Sequence, residues 1–299
     1  ISVSAFLLNR SSDLLVIIPN RTLCAFLAAW TPYLCAGPVL YRLLRLEDDH
    51  ARCLRILRLV CLAPAAVFFS YPMGEPLYLL LAALSLYMAR TGRWRQAGLY
   101  GMLCACTRSA GVLLLLPLGM ELWRQEAGQR VSLAALLRKG GWLLAVPLGI
   151  CFYLWINKRA AGDAFAFSAV QKSFWGQELG WFFTTAATQT RYLIGACADA
   201  PQKVFGLWLP NLLTGFGSLG LMLYAGKRLR PSWAAWFFPY FMLSYGVTWL
   251  LSGPRYMAVF FPLAAAADEL PGAKRIVPVT ALLLSAAYTV MFALRWSIW

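Results

Sequence analysis

Apolar segments long enough to cross a bilayer recur from end to end of this chain, and no other feature restricts its fold so severely. A spanning helix needs about 20 mostly apolar residues, and inside lipid every backbone N–H and C=O must find its partner within the segment. Helices therefore follow from the composition. Hydrophobic residues make up 61% and charged ones 13%, against about 25% charged in ordinary globular domains. The expectation is an all-α, polytopic helical membrane protein, a single transmembrane domain over residues 1–299 with about 10 helices, several of them short or broken.

Residues 22–44 form the first clear span, with Pro32 and Pro38 inside it. Further spans are expected at 59–71, 77–89, 97–107, 112–123, 140–156, 203–225, 233–251, 256–267 and 276–294, with a long outer loop at about 157–202. The formal net charge of +15 suggests nucleic acid at first. The distribution argues otherwise, because the bases cluster in short turns beside apolar segments, as orientation signals do. Arg42 to Arg58, Arg90 to Arg95, Arg124 to Lys139, Lys227 to Arg230 and Lys274 with Arg275 then face the cytoplasm. Arg52, Arg55 and Arg58 recur every third residue, a basic stripe that suits a cytoplasmic helix lying on anionic lipid or the snorkelling start of the next span. His50 is the only histidine and the eight cysteines show no paired spacing, which argues against a zinc site.

Two turns emerge on the same outer side. The first, Phe68-Phe69-Ser70-Tyr71-Pro72-Met73-Gly74-Glu75-Pro76, places one carboxylate between apolar runs. The second, Thr107-Arg108-Ser109-Ala110-Gly111, places one guanidinium in the same setting. Each charge has a plain structural reading: an acid favours a helix start and a base favours a helix end. Each also has a chemical one. An ionisable group at membrane depth is costly and commonly has a partner or a task, and an arginine fork suits phosphate. Glu75 is thus expected beside Arg108, Arg255 or both. Arg255, in Gly253-Pro254-Arg255-Tyr256, opens a helix whose positive end repels a cation, so capping explains it less well. Tyr256 could supply a hydroxyl. The segment from Gln171 to Trp181, with Lys172, Trp175 and Glu178, reads equally as an aromatic belt or as a sugar-stacking surface.

Taken together, the Phe-Phe-Ser…Glu75-Pro-Leu-Tyr turn, the Arg-Thr-Gly-Arg-Trp loop, Thr107-Arg108-Ser109-Ala110-Gly111, Phe174-Trp175-Gly176 and Arg255-Tyr256…Phe261-Pro262 resemble the PIG-V-like family of membrane mannosyltransferases, of the GT-C class. The ordered pieces cover about residues 44 to 262. The resemblance implies a polyprenyl-phosphate sugar donor, a lipid- or glycan-linked acceptor hydroxyl, and inverting transfer on the extracytoplasmic side. On the residues themselves, Glu75 is the candidate for catalysis and Arg108, Arg255, Tyr256, Lys172 and Trp175 are the candidates for substrate or phosphate. The family also implies an aspartate in a Trp-Asp context after the first span. No such motif occurs here, and Asp13 is the nearest candidate. With Ile1 at the start, an N-terminus missing from the sequence is the expectation. No cofactor is called for, and a divalent metal stays open. A lipid-linked-sugar flippase or transporter is the alternative. It should carry acids or amides in mid-span, whereas the sequence gathers them at outer ends.

Overall fold

A computed structural model of the chain describes residues 20–126 and 138–296. The fold is all-helical, and an isolated antiparallel bridge between Leu179 and Val247 is the sole extended pairing among the described residues. Four helices are long and apolar enough to cross a membrane by length and composition: Thr22–Leu44, Arg138–Ala161, Pro201–Ala225 and Ile276–Ala293. The chain divides into two compact units, residues 1–53 with 68–167, and residues 54–67 with 168–299.

The first unit is built on α1 (Arg21–Leu44), α3 (Glu75–Arg90), α4 (Trp94–Thr107), α5 (Leu115–Glu126) and α6 (Ala145–Ala161), with the first residues of α2 (His50–Cys61). Asn20 caps α1 through its side chain, which accepts from the Leu23 N–H at 3.1 Å. Pro76 stands in the first turn of α3, where its missing N–H costs nothing. The α3–α4 connection is tight, with Gly92 at φ 76°. Two glycines let α4 approach the Arg138–Ala161 helix closely. A Cβ on Gly98 would overlap the Trp142 carbonyl oxygen, and one on Gly149 that of Met102.

The second unit holds α7 (Ala166–Trp175) from Ser168 onward, α8 (Phe182–Ala196), α9 (Leu209–Ala225), α10 (Pro231–Tyr245), α11 (Gly253–Ala258), α12 (Pro262–Asp268) and α13 (Ile276–Ala293). Its core is aromatic. Trp236, Phe237, Tyr240, Phe241, Tyr245, Phe260 and Phe261 are all buried, and Phe241 stacks on Tyr245 at 5.0 Å between ring centroids.

Several expected boundaries change. The 59–71 span is absent as one helix: α2 stops at Cys61, Pro64 follows, and only a short 3-10 turn covers Ala66–Phe69. Most of the 157–202 loop is helical, carrying α7 and α8. The expected 233–251 span ends at Tyr245, and 256–267 becomes two short helices interrupted at Val259 to Phe261. The unwound stretch after Tyr245 keeps its polar groups satisfied through side chains. Asn211 and Gln189 donate to the Leu250 carbonyl at 3.0 and 2.8 Å, and Thr185 donates to that of Val247 at 2.6 Å.

Candidate functional site

Glu75 is the first residue of α3, so its carboxylate sits at the positive end of the helix dipole. Arg108 follows the last residue of α4 in extended conformation, φ −147° and ψ 139°. Because α3 and α4 are antiparallel neighbours, these two termini meet. Arg108 donates from Nη1 to Glu75 Oε1 at 3.1 Å. Its guanidinium also lies 5.8 Å from the centre of the Tyr78 ring, one turn into α3. The expected pairing is present, and it is asymmetric. The Glu75 side chain is 4% exposed and that of Arg108 18%, so both reach the surface, the cation more widely than the acid.

The opposite end of α3 carries a second pair that the sequence reading treated only as an orientation signal. Arg90 donates from Nε to Glu121 Oε1 at 3.3 Å, and its Nη1 lies 3.7 Å from Glu47. The Arg90 and Glu121 side chains are 3% and 0% exposed. Nearby, Lys139 reaches Glu126 at 2.6 Å. One signal could have found this site: Glu121 interrupts an apolar run, and an acid there calls for a buried cation.

Arg255, Tyr256 and Lys172 belong to the second unit. Arg255 lies 5.7 Å from the Tyr256 ring centre. The Tyr256 carbonyl accepts from the Tyr240 hydroxyl at 2.8 Å, and Asn211 Oδ1 accepts the Gly253 N–H at 2.9 Å. The turn that presents Arg255 is therefore held from both α9 and α10. Lys172 forms an exposed ion pair with Glu178 at 2.7 Å, whose carboxylate raises the ammonium above the ordinary lysine value. Glu178 also joins the ladder beside the isolated bridge: its carbonyl accepts from Thr248 at 2.8 Å and its N–H donates to the Thr248 hydroxyl at 2.9 Å. The 176–180 strip is thus pinned to the unwound segment after α10. Asp13 lies outside the described residues, as does the Trp175 side chain. The basic stripe on α2 is neutralised in part, since Arg52 pairs with Asp48 at 3.4 Å and Arg55 grips Asp268 with two bonds, 2.8 and 3.1 Å.

Among the described residues, no group of three or more His, Cys, Asp or Glu side chains could hold a metal ion. No family model matches the chain, and neither do the curated proteins or the solved structures compared with it.

Proposed function

We propose that this chain is a multi-pass membrane glycosyltransferase. By the family resemblance it moves a hexose, mannose, from a polyprenyl-phosphate donor to an acceptor hydroxyl on the extracytoplasmic side. The observation that carries the reading is the buried Glu75 carboxylate with the part-exposed Arg108 at 3.1 Å. In the proposed step the acceptor hydroxyl gives its proton to Glu75 as its oxygen bonds to the sugar anomeric carbon. The bond from that carbon to the phosphate oxygen breaks, and the lipid phosphate leaves with the electron pair. Arg108 then has a task that a neutral leaving group would not set: its donors stabilise the charge developing on the phosphate.

Transfer of radiolabelled mannose from polyprenyl-phosphate mannose in proteoliposomes tests this directly. Glu75→Gln is expected to lower the rate by about a hundredfold or more. Full activity of that variant would remove Glu75 from the chemistry. Sidedness is separable. Arg93→Cys and Ser109→Cys, both at exposed positions and placed in a cysteine-free background, should label from opposite faces of the membrane. Labelling from one face would overturn the arrangement.

One observation favours the alternative, a lipid-linked-sugar flippase. The buried Arg90–Glu121 pair, with Asn211 and Gln189 buried within helices, puts polar groups where a transporter would use them. Movement of a lipid-linked sugar across the bilayer without glycosidic transfer would decide for it.

A further inference from the structure

In the second unit an apolar groove of about 770 Å³ runs along α9 and α13, floored by α11 and α12. Its α9 wall extends from Leu213 to Tyr224, about 16 Å at the rise of an α-helix and close to half of a roughly 30 Å hydrocarbon core. Two wall residues, Gly217 and Gly220, have nothing within 4 Å of where a Cβ would stand. Glycine is costly inside a helix, and here its effect is to widen the groove.

The groove ends among bases. Leu270 lines both it and an adjoining cavity of about 310 Å³, whose wall includes Arg55, Asp268 and Lys274. At the same end Tyr224 carries Arg228 over its ring at 4.8 Å. Arg55, Arg228 and Lys274 stand there with two acids, Asp268, which Arg55 holds, and Glu269, which acts on Arg228. The excess is positive. This end is also distinct from the Arg255 turn. Asn211, bonded to Gly253, stands thirteen residues before Tyr224, about 20 Å along α9.

We propose that this groove holds an acyl chain of an anionic diacyl phospholipid, with its headgroup phosphate among Arg228, Lys274 and Arg55. Shape and charge argue for that occupant. The groove is one leaflet deep and apolar, and its mouth is cationic, as a juxtamembrane site facing an anionic leaflet should be. On the membrane reading that leaflet is the cytoplasmic one. The inference rests on the membrane reading and is independent of the transferase reading.

The test is native mass spectrometry of the full chain in detergent, titrated with dioleoyl phosphatidylglycerol or dioleoyl phosphatidylcholine. The expected result is preferential retention of the anionic lipid. Arg228→Gln and Lys274→Gln should each cut that preference about fivefold. Gly217→Leu with Gly220→Leu fills the groove with good helix formers and should abolish retention of both lipids at unchanged melting temperature. Equal retention of the two lipids overturns the proposal, as does undiminished retention by the filled variant. So does displacement of the phosphatidylglycerol by polyprenyl phosphate that is indifferent to Arg228 and Lys274. A chain that floats with vesicles yet retains no lipid overturns this inference alone. One that fails to float with vesicles overturns the membrane reading as well.

Discussion

The two ends of α3 carry the same chemistry in different settings. Glu75 at its start and Arg90 at its end stand about 22 Å apart along the axis, and each suits the dipole at its own terminus. Each is met by an opposite charge from the following helices. At the Glu75 end the partner Arg108 is 18% exposed. At the Arg90 end the partner Glu121 is 0% exposed, and a second acid, Glu47, approaches from the chain after α1. The Arg90–Glu121 pair is buried in both members, and only the more distant Glu47, 39% exposed, leads from it to the surface, so its first task is to brace the helices around it. A buried acid whose cation reaches the surface can brace them and also meet a ligand. Burial of the partner separates the two roles, and the bond lengths, 3.1 and 3.3 Å, do not.

The difference makes unequal demands on the two pairs. The largest effect is expected from Glu121→Ala, which takes the fully buried acceptor from Arg90 and leaves it the more distant Glu47 at 3.7 Å. Breaking such a pair costs on the order of 3–5 kcal/mol, and thermal unfolding in detergent should register it as the strongest destabilisation among these variants. Glu75→Ala should cost less, because water can reach Arg108. Equal losses would erase the distinction between the two ends.

Activity should rank the ends the other way. Arg108→Lys keeps the charge and loses the planar fork, so transfer per folded molecule should fall about tenfold or more. Glu121→Gln should leave transfer per folded molecule near the parent value. If Arg108→Lys transfers normally, the pair at the start of α3 is a helix brace like its counterpart.

A smaller number sharpens the same point. In a double-mutant cycle over Glu75→Ala and Arg108→Ala, contact predicts a stability coupling of about 0.5–3 kcal/mol. For a brace, the double variant should be better folded than Glu75→Ala and recover activity with stability. For a catalytic carboxylate it should be better folded and still inactive.

The smallest effect belongs to the exposed Lys172–Glu178 pair, whose side chains are 71% and 52% exposed. Lys172→Ala should leave the melting temperature unchanged within error. The raised lysine value means that any contribution is complete below the ordinary lysine range and fades only as pH rises above it. Thermal melts of parent and variant across neutral pH should therefore superimpose.

By itself the sequence determined that the chain is helical, where α1, α3, α4 and α13 lie, and that Glu75 and Arg108 both stand at helix ends. Those are local consequences of apolar run length, of Pro76 in a first turn, and of a two-helix hairpin too short to place its termini elsewhere. Tertiary structure decided the rest. Arg90 reads as one more base in a basic turn, and only the packing of α5 shows that it is buried against Glu121. The stripe on α2 reads as a lipid-facing surface until Asp268, 213 residues beyond Arg55, claims the middle arginine. The stretch after Tyr245 reads as more helix, because its residues are apolar enough for one. It unwinds because Asn211, Gln189 and Thr185, on α8 and α9, bind its carbonyls and its next N–H as a helix otherwise would. Local spacing reports what a segment can do alone. Burial, charge pairing and hydrogen bonds to distant side chains are properties of neighbours, and the sequence order of those neighbours does not reveal them.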